Sequence, residues 1–279
     1  MAYRTILVHM NDPRRVVSLL SYAVQIARLF DARLIGLHVF PAVGSKPVTL
    51  GAQEAIEGSV NEEPAHLESI FQDLTEKERF TCEWQPVPFK RTDPAKIVVA
   101  RARAADLVVV NQADPEWDQS RFLDFPDRLA VESGRPVIVV PKAHRGAALP
   151  KTVVIAWNRS REATRAVFDA LPLLKGARKV ELVTIHDASD RTLLNAEEDI
   201  LPPSAIADAL ARHAVKPIIT SLKATRDTVG EQICARTIAE EADLLVMGAY
   251  GHTRLREFVF GGATRHVLAH MPVPVLLSH

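Results

Sequence analysis

The residues best placed to do chemistry in this chain lie near its C-terminus. Gly248, Gly251 and Gly261 are spaced G-x2-G-x9-G. The first glycine closes the apolar run Asp243-Leu244-Leu245-Val246-Met247, and the last is followed by Gly262-Ala263-Thr264, which opens a helix-like segment. Glycines just after a buried strand and just before a helix let the backbone approach a ligand and turn its N–H groups toward it. A helix N-terminus adds partial positive charge that favours phosphate. The pattern therefore points to an anion held by main chain rather than to a nucleophile or an acid–base pair.

Signatures of catalysis are missing from the sequence. There is no G-x-x-x-x-G-K-[ST] loop, no G-x-G-x-x-G after the first strand of either half, and no G-x-S-x-G elbow. Ser160 follows a strand and precedes a helix, but it lacks an elbow's flanking glycines and reads as a helix cap, as does Asn158. No Asp pair on the fourth strand is available for magnesium, so rapid phosphoryl transfer would lack its electrostatic apparatus. His252, His266 and His270 have neither the spacing nor the acidic companions of a metal site. No catalytic or metal-ligating residue is assigned.

Those glycines must be positioned by strands and helices, and the chain supplies them twice. Its 279 residues are enough for two domains with separate cores. Thr5 to Met10 and Thr152 to Trp157 are short apolar strands, each ending at an Asn (Asn11, Asn158) and leading into amphipathic helices over 14–30 and 161–174. Second strands follow at 34–40 and 180–185, then helices at 62–78 and 203–213 and third strands at 82–89 and 217–223. The last unit is plainest: Pro94 to Ala105 precedes Asp106-Leu107-Val108-Val109-Val110, and Val229 to Ala242 precedes Asp243-Leu244-Leu245-Val246-Met247. Arg135 to Pro141 and Pro272 to Leu277 close the halves. The offset between copies is 147 residues from Asn11 to Asn158 and 137 from Asp106 to Asp243. Alternating strands and helices predict a parallel, doubly wound sheet in each half, with the boundary in the turn-prone stretch 142–151. The connection from Phe40 to Asn61, with Pro41, Gly44, Pro47, Gly51 and Gly58, is expected to be mobile or lid-like.

The glycine spacing, with the Met271-Pro272-Val273-Pro274-Val275-Leu276-Leu277 strand behind it, resembles the nucleotide-binding signature of the universal stress protein family. The resemblance covers both halves, strongly in the second and in degraded form in the first. It implies an α/β fold of two tandem doubly wound parallel five-stranded sheets with helices on both faces: residues 1–144 without the glycine motif, and 151–279 with it. It further implies a stress-response regulatory protein binding an adenine nucleotide, ATP or AMP, with Mg2+ as an optional companion and no cofactor required. Residue 158 would hold the adenine or ribose, and Ile185 would pack on the base. Met247, Gly248 and Gly251 would lie on the same edge, and Gly261, Gly262, Ala263 and Thr264 would wrap the phosphates. Two residues depart from the family pattern: Asn158 stands where ATP-binding members carry Asp, and Gly262 where they carry Ser or Thr. Alternatives are a non-nucleotide interaction scaffold of the same fold and a slow ATPase. Members commonly pair through their last strands, which implies pairing of the two halves within the chain, with a homodimer as a further option.

The first half differs where the second has its motif. Between Asn111 and Ser133 there is no glycine, while Asp114, Glu116, Asp118, Asp124 and Asp127 accumulate. Asn111 and Asp114 fall opposite Gly248 and Gly251, and Asp124 or Leu123 falls opposite Gly261. Carboxylates and side chains in place of glycines predict that this half does not bind ATP.

The remaining expectations come from composition. Thirty-four basic and 34 acidic residues cancel, leaving no field to attract nucleic acid or an anionic membrane. No apolar run reaches the roughly 18 residues that span a bilayer. A start that enters a strand directly, and only Cys82 and Cys234 as thiols, read as a cytoplasmic chain without a disulfide framework. A protein partner is expected but not identified.

Overall fold

The computed structural model describes residues 2–42, 63–144, 149–186, 202–250 and 262–279. The chain divides into two compact units, Ala2–Ala147 and Ala148–His279. In the first, β1 (Thr5–His9), β2 (Arg33–Pro41), β3 (Cys82–Phe89), β4 (Leu107–Asn111) and β5 (Val137–Val140) lie in the order β3-β2-β1-β4-β5, every pair parallel. Its helices are α1 (Val16–Phe30), α2 (Glu63–Thr75), α3 (Pro94–Ala102), the short α4 (Ser120–Leu123) and α5 (Pro126–Glu132). In the second, β6 (Thr152–Ala156), β7 (Lys179–His186), β8 (Ile218–Lys223), β9 (Leu244–Gly248) and β10 (Val275–Ser278) repeat the arrangement as β8-β7-β6-β9-β10, again parallel. They are joined through α6 (Arg161–Asp169), α7 (Leu171–Leu174), α8 (Pro203–Arg212), α9 (Val229–Ala239) and α10 (Gly262–His270).

The strands are what a parallel sheet covered on both faces requires. Leu107-Val108-Val109-Val110 and Leu244-Leu245-Val246-Met247 are buried throughout, and burying each such side chain contributes about 1.5–3 kcal/mol. One device appears in both units, at two aspartates that the sequence repeat aligns without giving them a role. The Asp106 carboxylate accepts from the N–H groups of Arg4 and Thr5 at 2.8 and 2.9 Å, tying the start of β4 to the start of β1. Asp243 does the same for Lys151 and Thr152, both at 2.8 Å, between β9 and β6. In each unit the chain leaves the first strand toward one side and returns on the other, so the switch point falls between β1 and β4, and between β6 and β9.

Three expected boundaries are corrected. Helix α1 begins at Val16 rather than 14, because Asp12-Pro13 forms a turn in which Asp12 Oδ1 accepts from Arg14 N–H at 3.0 Å. The helix expected over 161–174 breaks after Asp169: Pro172 has no N–H for the Phe168 carbonyl and its ring crowds that carbonyl, so α7 restarts at Leu171. The closing strands are shorter than expected and begin after a proline, at Val137 and Val275. The lid expected between Phe40 and Asn61 lies, from residue 43 onward, outside the described residues.

Candidate functional site

In the second unit the carboxyl edge of the sheet is formed by the ends of β6, β7 and β9. Strand β6 runs into Trp157, whose N–H donates to Val183 O at 2.9 Å and whose side chain is buried. The exposed Asn158 follows, and its Oδ1 accepts from Ser160 N–H at 3.2 Å. That turn is tightened by Arg159 in the left-handed region, φ 65°. Ser160 Oγ then accepts from Ala163 N–H at 3.1 Å, capping α6 as the sequence reading expects. Ile185 stands half-buried near the end of β7. Met247 pairs with Ala156 across the switch point, and its side chain is buried, so it offers the edge a strand end rather than a side chain.

Gly248 has a structural reason to be glycine. A Cβ there would stand 2.5 Å from Ala163 N and 2.7 Å from Glu162 C, inside the backbone of the first turn of α6. The glycine therefore brings the helix onto the end of β9. It also brings Glu162, a residue the sequence reading missed, against the end of β9, its Cβ 2.9 Å from where that Cβ would stand, while its carboxylate pairs with Arg161 at 3.0 Å. Glu162 is buried at 7% exposure. Burial alone would raise its pKa, yet its own N–H, the Ser160 hydroxyl and Arg161 together hold it below the ordinary carboxylate value. As a first-turn acid it looks like an ordinary solvated helix start; only Gly248, far along the sequence, places it inside.

Gly262 differs from Gly248. It is exposed, and among the described residues no atom lies within 4 Å of where a Cβ would stand. Helix α10 thus begins with an open first turn. It is tied to the sheet by Thr264, whose buried Oγ accepts from Tyr250 N–H at 3.3 Å, just beyond β9. Ala263 is half-buried. Asn158, Ile185, Met247, Gly248 and the turn Gly262–Thr264 are therefore placed by neighbouring elements, while Gly251 and Gly261 lie outside the described residues. So do His252, Arg254 and Arg256.

The same edge of the first unit is filled. Asn11 Nδ2 donates to Leu123 O at 3.0 Å and to Asp124 Oδ1 at 2.5 Å, and Asn111 Nδ2 donates to Asn11 Oδ1 at 3.3 Å. The Asp124 carboxylate also accepts from Asp114 N–H at 2.9 Å and Ser120 Oγ at 2.8 Å. Around it, Arg15 pairs with the buried Asp12 at 2.7 Å and donates to Gln112 O, while Arg14 and Lys142 each reach Asp114 at 3.1 Å. Burial would raise Asp12, but Arg14 and Arg15 hold it below its ordinary value. For Asp124 the balance is reversed, and burial outweighs its donors to push its pKa up.

A family model of the universal stress protein family matches residues 2–141 and again residues 150–279. The chain belongs to the universal stress protein family. Solved structures of like architecture include a universal stress protein from Archaeoglobus fulgidus DSM 4304, 13% identical, covering 98% of this chain and 95% of that one with a TM-score of 0.65. A universal stress protein-like chain from Pseudomonas aeruginosa UCBPP-PA14 is 16% identical over 99% of this chain and 93% of its own, TM-score 0.63. A protein of unknown function from Pseudomonas aeruginosa PAO1 is 15% identical over 99% and 92%, TM-score 0.62. At these identities the likeness establishes the fold, a tandem pair of family domains. No curated protein matches the chain. Among the described residues no helix is long and apolar enough to cross a membrane.

Proposed function

We propose that this stress protein binds an adenine nucleotide, ATP or AMP, on the carboxyl edge of its second unit and acts as a regulatory protein. The base and ribose lie over Asn158, Ile185 and the ends of β6 and β9, with Glu162 able to accept from a ribose hydroxyl. The phosphates meet the N–H groups of the Gly261–Thr264 turn, with Gly251 leaving room beside them. One observation supports the reading: among the described residues nothing crowds Gly262 at the start of α10, beside the end of β9, where first-turn N–H groups and the helix dipole favour an anion. Membership of the family supports it. Mg2+ would arrive with the nucleotide, since β9 itself carries no carboxylate. A catalytic step has no support, because the one hydroxyl placed like a nucleophile, Ser160, is the α6 cap.

A second reading, an interaction scaffold that binds no nucleotide, draws on the fact that the oxygens of two side chains placed to help a ligand already accept internal bonds, Asn158 Oδ1 from Ser160 N–H and Thr264 Oγ from Tyr250 N–H, which leaves only their donors for a ligand. Titration calorimetry with ATP and AMP separates the two. On the nucleotide reading, Gly251→Asp abolishes binding by obstructing backbone approach, and Gly262→Ser, for which there is open space, strengthens it about fivefold by adding a hydroxyl donor. No heat of binding in wild type and Gly262→Ser alike would establish the scaffold.

A further inference from the structure

The segment between β4 and α5 does more than obstruct the first unit's switch point. Counted from Asp106 and Asp243, Asp114 is the counterpart of Gly251 and Asp124 that of Gly261. These are the two glycines between which the second unit's phosphate cradle would form. In the first unit the two counterparts are joined directly, Asp114 N–H donating to the Asp124 carboxylate at 2.9 Å. We propose that the carboxyl edge of the first unit is an oxyanion site whose resident ligand is the chain's own Asp124.

The site has the composition of an anion receptor. One carboxylate, with no exposed side-chain surface, collects a backbone N–H, the Ser120 hydroxyl at 2.8 Å and the Asn11 amide at 2.5 Å, with the Arg15 guanidinium 3.8 Å away. Charge-assisted bonds of this kind are the strong ones, and here they offset part of the cost of burial, which still holds the Asp124 pKa above its ordinary value. Arg15 pairs with Asp12 through Nε, but its Nη2 is buried and makes no hydrogen bond among the described residues, standing 3.8 Å from the nearer Asp124 oxygen, so one donor is left over that the carboxylate does not reach. A tetrahedral phosphate is larger than a carboxylate and would bring an oxygen closer to that donor. The receptor therefore suits small oxyanions, phosphate and carboxylate alike, and is closed to them because an intramolecular anion at high effective concentration holds it. A nucleotide would have to expel Asp124 to enter.

The proposal stands apart from nucleotide binding in the second unit, and its test is built to keep the two separate. Asp124→Ala removes the resident anion and leaves the donors in place. Thermal unfolding of this variant, compared with wild type and with Asp127→Ala, whose aspartate is exposed on α5, is followed with and without millimolar inorganic phosphate or acetate. Asp124→Ala is expected to melt lower and to be restored selectively by either anion. Equilibrium dialysis with inorganic phosphate should find one more phosphate per chain in Asp124→Ala than in wild type, whatever the second unit binds. Asp124→Asn, which fills the space without charge, should gain no phosphate. Asp124→Ser serves as the vehicle if the alanine variant folds only in the presence of anion. Folded Ala or Ser variants that respond to phosphate no more than Asp127→Ala, and bind no extra equivalent, would overturn the proposal.

Discussion

At the strand end facing the switch point the first unit carries Asn111 and the second Gly248, and much of the difference between the two edges follows from that exchange. Asn111 reaches sideways to Asn11, which in turn holds Leu123 and Asp124, so the edge closes on itself through side chains. Gly248 has no side chain to reach with, and the backbone of α6 comes down onto it instead. The α10 turn beyond is then left open. The same strand order thus yields one edge that supplies its own anion and one that can receive another.

The largest expected difference between the units is in their response to acid. His9 and His38 are buried in the first unit; the bonds Met10 N–H to Leu37 O and Trp157 N–H to Val183 O make Ala156 and Thr184 their counterparts in the second. Burial, and then the charge of His38, lowers His9 from 6.5 to about 3. Burial lowers His38 to about 4, against its bond to Met10 O. Met10 O can only accept, so Nδ1 carries the proton and the buried Nε2, 4.0 Å from Glu63, is a bare lone pair. Because both folded values lie below the unfolded one, the neutral rings support the fold above about pH 6.5. That support is lost as pH falls toward 4 and then 3, on the order of 3 kcal/mol for His38 and about 5 kcal/mol for His9. Acid should therefore unfold the first unit before the second. Fluorescence of a Trp117→Phe/Trp157→Phe variant, reporting Trp84, should change at higher pH than that of Trp84→Phe/Trp117→Phe, reporting Trp157. Coincident transitions, or no gain in acid resistance from His9→Ala with His38→Thr, would refute it.

A second contrast lies between sheet and helix. Glu181 on β7 is 1% exposed and is held by Arg236 of α9 at 2.5 Å and by the Thr220 hydroxyl. The corresponding positions in the first unit are Ile35 and Val99, both buried and apolar. Removing one partner of a buried pair typically costs about 3–5 kcal/mol because the other charge is stranded, whereas replacing both with apolar residues is often neutral. Urea denaturation should find Arg236→Val strongly destabilising and Glu181→Ile/Arg236→Val close to wild type. A double variant as unstable as the single would mean that the first unit's solution does not transfer.

How much of this was legible beforehand follows from the range of the interactions. The parallel strands and their order along the chain were readable because they depend on local apolar runs repeated at a nearly constant offset, whereas the Asp106 and Asp243 clamps, which the repeat aligned but gave no role, reach across about 100 residues. The break at Pro172 was also local and could have been read from the proline alone. The Asp114–Asp124 bond could not, because it depends on how the turns from 114 to 120 fold back; the sequence showed carboxylates in place of glycines, but not that one of them is bound within the edge. Glu162 and Glu181 read as ordinary polar positions until Gly248 and Arg236, distant in sequence, enclose them.

Exchanging the switch-point residues tests the opening contrast more directly, with a smaller effect. Gly248→Asn must displace the backbone of α6, so it should cost about 1–3 kcal/mol, the usual range for overpacking, or more. Asn111→Gly forfeits one side-chain bond, on the order of 1 kcal/mol. Chemical denaturation of both variants should give that order. The reverse order would mean that α6 can withdraw from β9 and that close approach is not why residue 248 is glycine.

The smallest effect separates stability from binding at the start of α6. Ser160 caps that helix through Ala163 N–H, whereas α1 in the first unit begins without a side-chain cap on its N-cap residue and relies on Asp12 holding Arg14 N–H. Ser160→Ala should therefore cost about 1 kcal/mol of stability. Asn158→Ala removes only a bond to Ser160 N–H in an exposed turn, about 0.5 kcal/mol. Affinity should follow the opposite order, since Asn158 lies where the base or ribose would rest and Ser160 is occupied inside the cap. Measured together by urea denaturation and ATP titration, Ser160→Ala should lose more stability than affinity, and Asn158→Ala more affinity than stability. If both variants weaken binding only in proportion to their loss of stability, Asn158 is a turn residue alone, and the nucleotide must be held from the glycine side of the edge.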